Sequence, residues 1–258
     1  MRKFAEEYPN LEFVQSVTAQ ITWTHNVLLM EKIKDYKIRN WYIGETIKNG
    51  WSVNMLEMQI ENRLYERQVI AEKTTNFHST LPNLQSDLAI QTMKDPYIFD
   101  FISLKNNSNE VQIENAMINR IKDVLIEFGN GFAFVGNQYK ITISDIDYFI
   151  DLLFYHLKLR CYIAVELKNR KFKPTDAGQI NFYLSAVDDL LRKEGDNPTI
   201  GILLCREKDK LTAEYALRNV NNPIGVSEYK LLEDIPEYLQ KQLPKIEDIE
   251  LHIKDIEE

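Results

Sequence analysis

Between residues 148 and 168 the chain sets one carboxylate inside an apolar, strand-like run and another at the end of the next. Asp151 interrupts Tyr148-Phe149-Ile150-Asp151-Leu152-Leu153-Phe154-Tyr155, and Glu166 ends Tyr162-Ile163-Ala164-Val165-Glu166. A carboxylate in such a run costs several kcal/mol unless it is paired, hydrogen-bonded or bound to a cation. The link His156-Leu157-Lys158-Leu159-Arg160 reads as a hairpin. A turn centred on Leu157-Lys158 pairs Asp151 with Ala164 and leaves it diagonal to Glu166 on the same face, about 7–8 Å away along the backbone. Two carboxylates can close that gap onto one divalent ion.

The neighbouring elements frame this pair. Val111 to Phe128 carries a helical apolar stripe and is closed by Gly129 and Gly131. Strand-like runs follow over Phe132–Ile143 (with a turn expected near Gly136-Asn137), Tyr148–Tyr155 and Cys161–Leu167. Thr175 opens a second helix, to about Arg192, and Ile200-Gly201-Ile202-Leu203-Leu204-Cys205 reads as a central strand. The order αβββαβ predicts an α/β fold with a mixed central sheet flanked by helices. Upstream, apolar spacing over Asn10–Ile21, Asn26–Ile33, Tyr36–Lys48 and a segment capped by Ser52 predicts an all-α N-terminal region. Ala71–Asn83 is a connector, so two domains are expected, 1–82 and 83–258.

Lys168 lies two residues beyond Glu166 and therefore shares its face. An ammonium there can orient a water for attack; alone, a Glu-X-Lys tripeptide is an ordinary strand-end ion pair of little worth. Glu114 falls on the core-facing side of the first helix, three residues from both Val111 and Met117. Gln179 stands in the first turns of the second helix, within reach of the same face. Arg170, Lys171 and Lys173, with Phe172 between, could grip a phosphate backbone, and His156 could touch a phosphate from the hairpin tip. Asp147 shares the expected face of Asp151 as a spare ligand, whereas His25, His78 and His252 have no ligand spacing.

The formal net charge of −8 argues against a protein that coats nucleic acid through bulk electrostatics. It leaves chemistry on phosphates open, since metal-holding carboxylates add to the negative count. No apolar run approaches the roughly 20 residues that span a membrane, and the start Met1-Arg2-Lys3-Phe4-Ala5-Glu6-Glu7 lacks a signal peptide's apolar core. Cys161 and Cys205, each within an apolar run, read as buried, reduced thiols, and the expected location is the cytoplasm.

Taken together, the blocks 131–138, 149–156, 159–168, 177–184 and 197–205, with Glu214-Tyr215-Ala216-Leu217, resemble the YhcG family of PD-(D/E)XK nucleases. Trp23-Thr24-His25, Asn49-Gly50-Trp51-Ser52 and Leu64-Tyr65-Glu66-Arg67 resemble that family's upstream domain. The resemblance implies a restriction-endonuclease-like core. It places the metal-binding acids on Asp151 and Glu166, the lysine on Lys168, the first-helix glutamate on Glu114 and the second-helix glutamine on Gln179. Family members usually begin well upstream of the position of Met1, within a winged-helix-like domain that this chain would enter partway.

The resulting expectation is hydrolysis of DNA phosphodiester bonds with Mg²⁺ or Mn²⁺ held by Asp151, Glu166 and the Leu167 carbonyl, with Lys168 positioning water. A DNA partner follows, whether single-stranded, duplex or branched, and self-association stays open. The rival is an inactive nucleic-acid-binding or assembly module that retains the fold; the joint presence of Asp151, Glu166 and Lys168 speaks against it.

Overall fold

Gly50 ends a helix in the left-handed conformation (φ 63°) and Ser52 caps the next, so the chain turns sharply near residue 50. That corner belongs to the first of two compact units, 1–70 and 71–258, in a computed structural model that describes residues 18–104 and 108–234. Within the described part of the first unit, α1 (Trp23–Lys32), α2 (Tyr36–Asn49) and α3 (Val53–Glu61) surround Leu29, Tyr42, Ile43, Leu56 and Leu64. Asp35 caps α2 by accepting from the Lys37 and Ile38 amides at 2.7 and 3.0 Å, and Ser52 caps α3 by accepting from Met55 at 3.2 Å. Most of the helix expected over Asn10–Ile21 lies outside the described residues, and Thr18–Gln20 form a short 3-10 turn.

The second unit is a mixed sheet with helices on both faces. Its strands are β1 (Thr74–Thr75), β2 (Tyr97–Phe99), β3 (Phe132–Ile143), β4 (Ile146–His156), β5 (Cys161–Lys171), β6 (Ile200–Glu207) and β7 (Ile224–Leu231). The order across the sheet is β1-β7-β6-β5-β4-β3, with β2 added parallel to β7. The β3–β4–β5 meander is antiparallel, and β5, β6 and β7 run parallel. On one face, α6 (Glu110–Asn119) and α7 (Ile121–Phe128) pack Met117, Val124 and Phe128 against Leu152, Phe154, Val165 and Leu167. On the other, α8 (Pro174–Leu190) and α9 (Lys210–Leu217) pack Ile180, Leu184 and Leu217 against Leu153, Ala164 and Leu203. Both faces of β5 and β6 are covered, which explains their unbroken apolar runs.

Several expectations change here. The αβββαβ order holds, but Val111–Phe128 is two helices hinged at Arg120, whose backbone (φ −120°, ψ 36°) leaves the helical region. The turn expected near Gly136-Asn137 is instead a bulge in a continuous strand, with the register shifting between Phe134 and Gly136. Residues 71–82, read as a connector closing the N-terminal region, contribute β1 and the short helix α4 (Phe77–Thr80) to the second unit. Asn76 anchors this stretch: its side chain donates to the Val220 and Asn222 carbonyls and accepts from the Ile224 amide. Helix α5 (Asn83–Thr92), α9 and β7 complete the unit. Among the described residues no helix is long and apolar enough to cross a membrane.

Candidate active site

The hairpin joining β4 to β5 sets the register on which the site depends. His156 pairs with Cys161 and Leu153 with Ala164, so the pairing is two residues away from the one expected from a turn at Leu157-Lys158. The cause is a four-residue loop that Arg160 closes in the left-handed conformation (φ 49°). Leu159 is buried beneath it. Extended one residue past the last pair, the observed offset sets Asp151 opposite Glu166 in place of Ala164.

The last paired residues are Leu152 and Val165; beyond them β4 and β5 part. Side chains take over the vacated ladder positions. The Asp151 Oδ2 accepts from the Leu167 amide at 2.8 Å, and the Glu166 Oε1 accepts from the Asp151 amide at 3.4 Å. Two carboxylates thus sit in the fork between two strands, each tied to the backbone of the opposite one. The remaining oxygens are bonded to side chains. Glu166 Oε2 accepts from Lys168 Nζ at 3.3 Å and from Gln179 Nε2 at 3.2 Å, and Gln179 also donates to the Tyr183 hydroxyl at 3.2 Å. Pro174 at the first position of α8 and Asp176, which accepts from the Lys173 amide, fix the helix start that places Gln179 here.

The first-helix glutamate joins through β3. Asn109 and Gln112 cap α6 reciprocally, each side chain accepting from the other's amide at 2.9 Å. From α6, Glu114 (4% exposed) accepts from Asn137 Nδ2 at 3.2 Å and from Gln138 Nε2 at 2.6 Å. Gln138 Nε2 also lies 3.3 Å from Asp151 Oδ1, so one amide bridges Glu114 and Asp151. Gln138 has φ 42°, a strained value for a residue with a Cβ, at the position from which its amide reaches both carboxylates. Neither Gln138 nor Glu110, which accepts from the Asn169 amide at 2.9 Å, was a sequence candidate. A positive φ at a glutamine has no local signature, and Glu110 looks like any acidic first-turn residue.

Burial shapes the charges. Glu166, 1% exposed, has its carboxyl pushed up to about 8 by loss of solvent and by the negative charge of Asp151. Asp151 is also raised by burial, against the pull of the Leu167 amide. Burial works to lower the Lys168 ammonium, but the surrounding Glu166, Asp151 and Glu110 carboxylates outweigh it and hold the group above its ordinary range. One lysine faces two core carboxyl groups with two more behind them; with Glu166 raised to about 8, a divalent cation binding here would displace a proton and hold the carboxylate form. Among the described residues no three His, Cys, Asp or Glu side chains are arranged to hold a metal by themselves. The donor set that fits is accordingly smaller: hard oxygen donors from Asp151 and Glu166.

The basic cluster is differently employed. Arg170 makes a two-pronged bond to Asp176 at 2.9 and 2.7 Å, and Lys171 pairs with Glu207 at 2.8 Å on the surface. Lys173 is exposed. His156 corrects the expectation of a phosphate contact at a hairpin tip. It is 1% exposed, packs edge-on against Phe132, and accepts the Leu159 amide on Nδ1 at 3.0 Å. Asp147, the spare-ligand candidate, is held by Lys140 at 2.8 Å and Thr142 at 2.8 Å near the far end of the β3–β4 hairpin. Cys161 and Cys205 are buried free thiols, as expected.

Comparison with known proteins agrees with this architecture. Residues 90–244 match the YhcG PDDEXK nuclease domain, and residues 1–67 match the DUF1016 N-terminal domain. The chain is 37% identical over 229 residues to an Escherichia coli (strain K12) protein named "Putative nuclease YhcG", covering 87% of this chain and 61% of that relative's length. Solved structures overlap it partially. A repair endonuclease from Pyrococcus abyssi shares 15% identity at a TM-score of 0.34, over 50% of this chain and 49% of that one. EndoMS in complex with double-stranded DNA shares 16% at 0.35, over 52% and 48%. With its nuclease-domain match spanning the sheet and both flanking helical layers, the chain belongs to the YhcG family of PD-(D/E)XK nucleases.

Proposed function

We propose that the chain hydrolyses phosphodiester bonds in DNA at the fork between β4 and β5. The observation that carries this reading is the convergence of Asp151, Glu166, Lys168 and Gln179 through direct hydrogen bonds at a point where two strands separate. Mg²⁺ or Mn²⁺ bound by Asp151, Glu166 and the Leu167 carbonyl would neutralise charge on the scissile phosphate and acidify an attacking water. The chain's own groups complete the arrangement. Lys168 Nζ, anchored on Glu166, presents its remaining N–H bonds toward the fork, where they hold the attacking water and counter charge developing on the phosphate. Gln179 keeps Glu166 Oε2 oriented, and Glu114 acts on Asp151 through the Gln138 amide. Lys171 ends β5 and Lys173 lies just beyond it, and both suit phosphate contacts; Lys171 need only leave an exposed partner.

The test mixes purified protein with plasmid, linear and branched DNA in Mg²⁺ or Mn²⁺. Wild type should cleave, and Asp151→Ala should not. Equal cleavage by both would remove the assignment. A Mn²⁺ titration discriminates further, because a non-catalytic scaffold should bind the ion no better than its Glu166→Ala variant does.

A further inference from the structure

Beside the fork, the exposed side of α8 and the β3–β4 hairpin carry aromatic rings instead of unpaired cations. Phe182 is 38% exposed, lies one helical turn beyond Gln179, and packs its ring 4.8 Å from that of Tyr148 and 5.9 Å from that of Tyr183. Tyr183 in turn bonds Gln179, the residue that holds Glu166, so the aromatic group and the carboxylate share one chain of contacts. Side chains three apart on a helix sit about 5–6 Å from each other, so the Phe182 ring is a neighbour of Gln179, which bonds Glu166.

Most of the charges nearby already have acidic partners, and Lys173 is an exposed exception. Arg170 is held by Asp176, Lys171 by Glu207 and Lys140 by Asp147, on a chain of formal charge −8. Phosphate neutralisation, the usual source of affinity for a closed duplex, is therefore limited here to a few contacts such as those of Lys171 and Lys173. A ring face offers affinity of another kind, because any base has a π-face that can stack on it, but only after the base has left its own helix. Resting on the reading of the fork as a DNA-cleaving site, we infer that Phe182, backed by Tyr148, is a stacking platform for an unpaired nucleobase next to the scissile phosphate. The substrate class is then DNA with unpaired nucleotides, such as single strands and the single-stranded arms of branched molecules, in preference to closed duplex.

The experiment measures binding of a fluorescein-labelled single strand, and of the duplex made with its complement, by anisotropy without added metal. Cleavage of both is followed in Mn²⁺. Phe182→Ala should weaken single-strand binding about tenfold and leave duplex binding within about twofold, and Phe182→Trp should restore it. One abasic nucleotide walked along the strand should lower wild-type affinity at a single position and have no effect there on Phe182→Ala. Phe182 is exposed enough that its variants should melt with wild type; Tyr148→Phe provides a second, conservative probe of the backing ring. Equal losses on single strand and duplex, or indifference to every abasic position, would overturn the inference while leaving cleavage intact. Wild type inert on every DNA would instead remove the nuclease reading, and the binding arm would still decide the platform.

Discussion

The strands β4 and β5 bury ionisable groups at both ends, under opposite terms. At the turn end, His156 is sealed against Gly131, Phe132 and the core, with one ring nitrogen accepting from Leu159 and Nε2 finding no partner. Burial drives it down to about 4, so it is neutral under ordinary conditions. At the fork end, Asp151 and Glu166 are ringed by an amide network and a lysine, and burial raises both carboxyls. The difference teaches that burial alone does not decide how an ionisable group is held. What separates the two ends is the supply of polar partners and the parting of the strands.

The largest effect should come from neutralising the fork while preserving its shape. Glu166→Gln retains an acceptor for the Asp151 amide and fills the same volume. Cleavage should fall about 10³-fold, near 4 kcal/mol of transition-state stabilisation. Stability should stay within about 1–3 kcal/mol of wild type, because a desolvated carboxyl is removed while the new amide nitrogen meets the Lys168 and Gln179 donors. Plasmid conversion in Mn²⁺ and thermal unfolding measure the two quantities on one preparation. A variant that loses stability and activity in step would mean that the fork end is structural, like the turn end.

The turn end yields a pH signature of its own. His156 titrates near 6.5 when unfolded and near 4 when folded, so between those values the unfolded chain binds more protons. Stability is full above pH 6.5 and is lost as pH falls toward 4, by about 3 kcal/mol in all. His156→Gln should abolish that part of the slope in denaturant unfolding at stepped pH. Parallel slopes in wild type and variant would show that the imidazole is not sealed off.

These contrasts indicate what could be read from residue order. The buried acids were legible because carboxylates in apolar runs are costly, and the structure brings Asp151, Glu166 and Lys168 together through hydrogen bonds despite a pairing two residues away from the expected one. Glu114 was legible from its place on a helical stripe. His156 was not, since the sequence places a histidine near a turn without saying that Arg160 lengthens the loop and tucks the ring inward. β7 escaped as well. Its pairing with β6 is parallel and long-range, and its Ser227 and Glu228 weaken the apolar signal, although Ser227 is buried and donates to the Lys94 carbonyl at 2.8 Å. Gln138 depends on a bulge and a positive φ, which no local pattern announces.

Gln138 offers an intermediate test of the fork. If its amide positions Asp151 and Glu114, Gln138→Ala should reduce cleavage about 10–100-fold, the usual scale for a residue supporting a metal ligand. The loss should appear mainly as a weaker apparent Mn²⁺ affinity, with partial recovery at saturating ion. Gln138→Gly separates positioning from strain, since glycine accepts φ 42° freely but carries no amide. A glycine variant as active as wild type would reduce Gln138 to a turn residue.

The smallest effects should lie on the surface beyond both ends. Lys171 and Glu207 are 56% and 64% exposed, so their pair contributes little to stability, and Lys171→Ala should leave unfolding within about 1 kcal/mol of wild type. If Lys171 and Lys173 meet phosphates when DNA is bound, each alanine variant should flatten the slope of log affinity against log salt by about 0.7–0.9 without changing the cleavage rate at saturation. Arg170 should behave otherwise. Its two bonds to Asp176 hold the start of α8, so Arg170→Lys, which gives up the fork geometry of the guanidinium, should disturb Gln179 and show in rate before it shows in salt dependence. An unchanged slope for Lys171→Ala together with a changed one for Arg170→Lys would reverse these roles and make the buttress the phosphate contact.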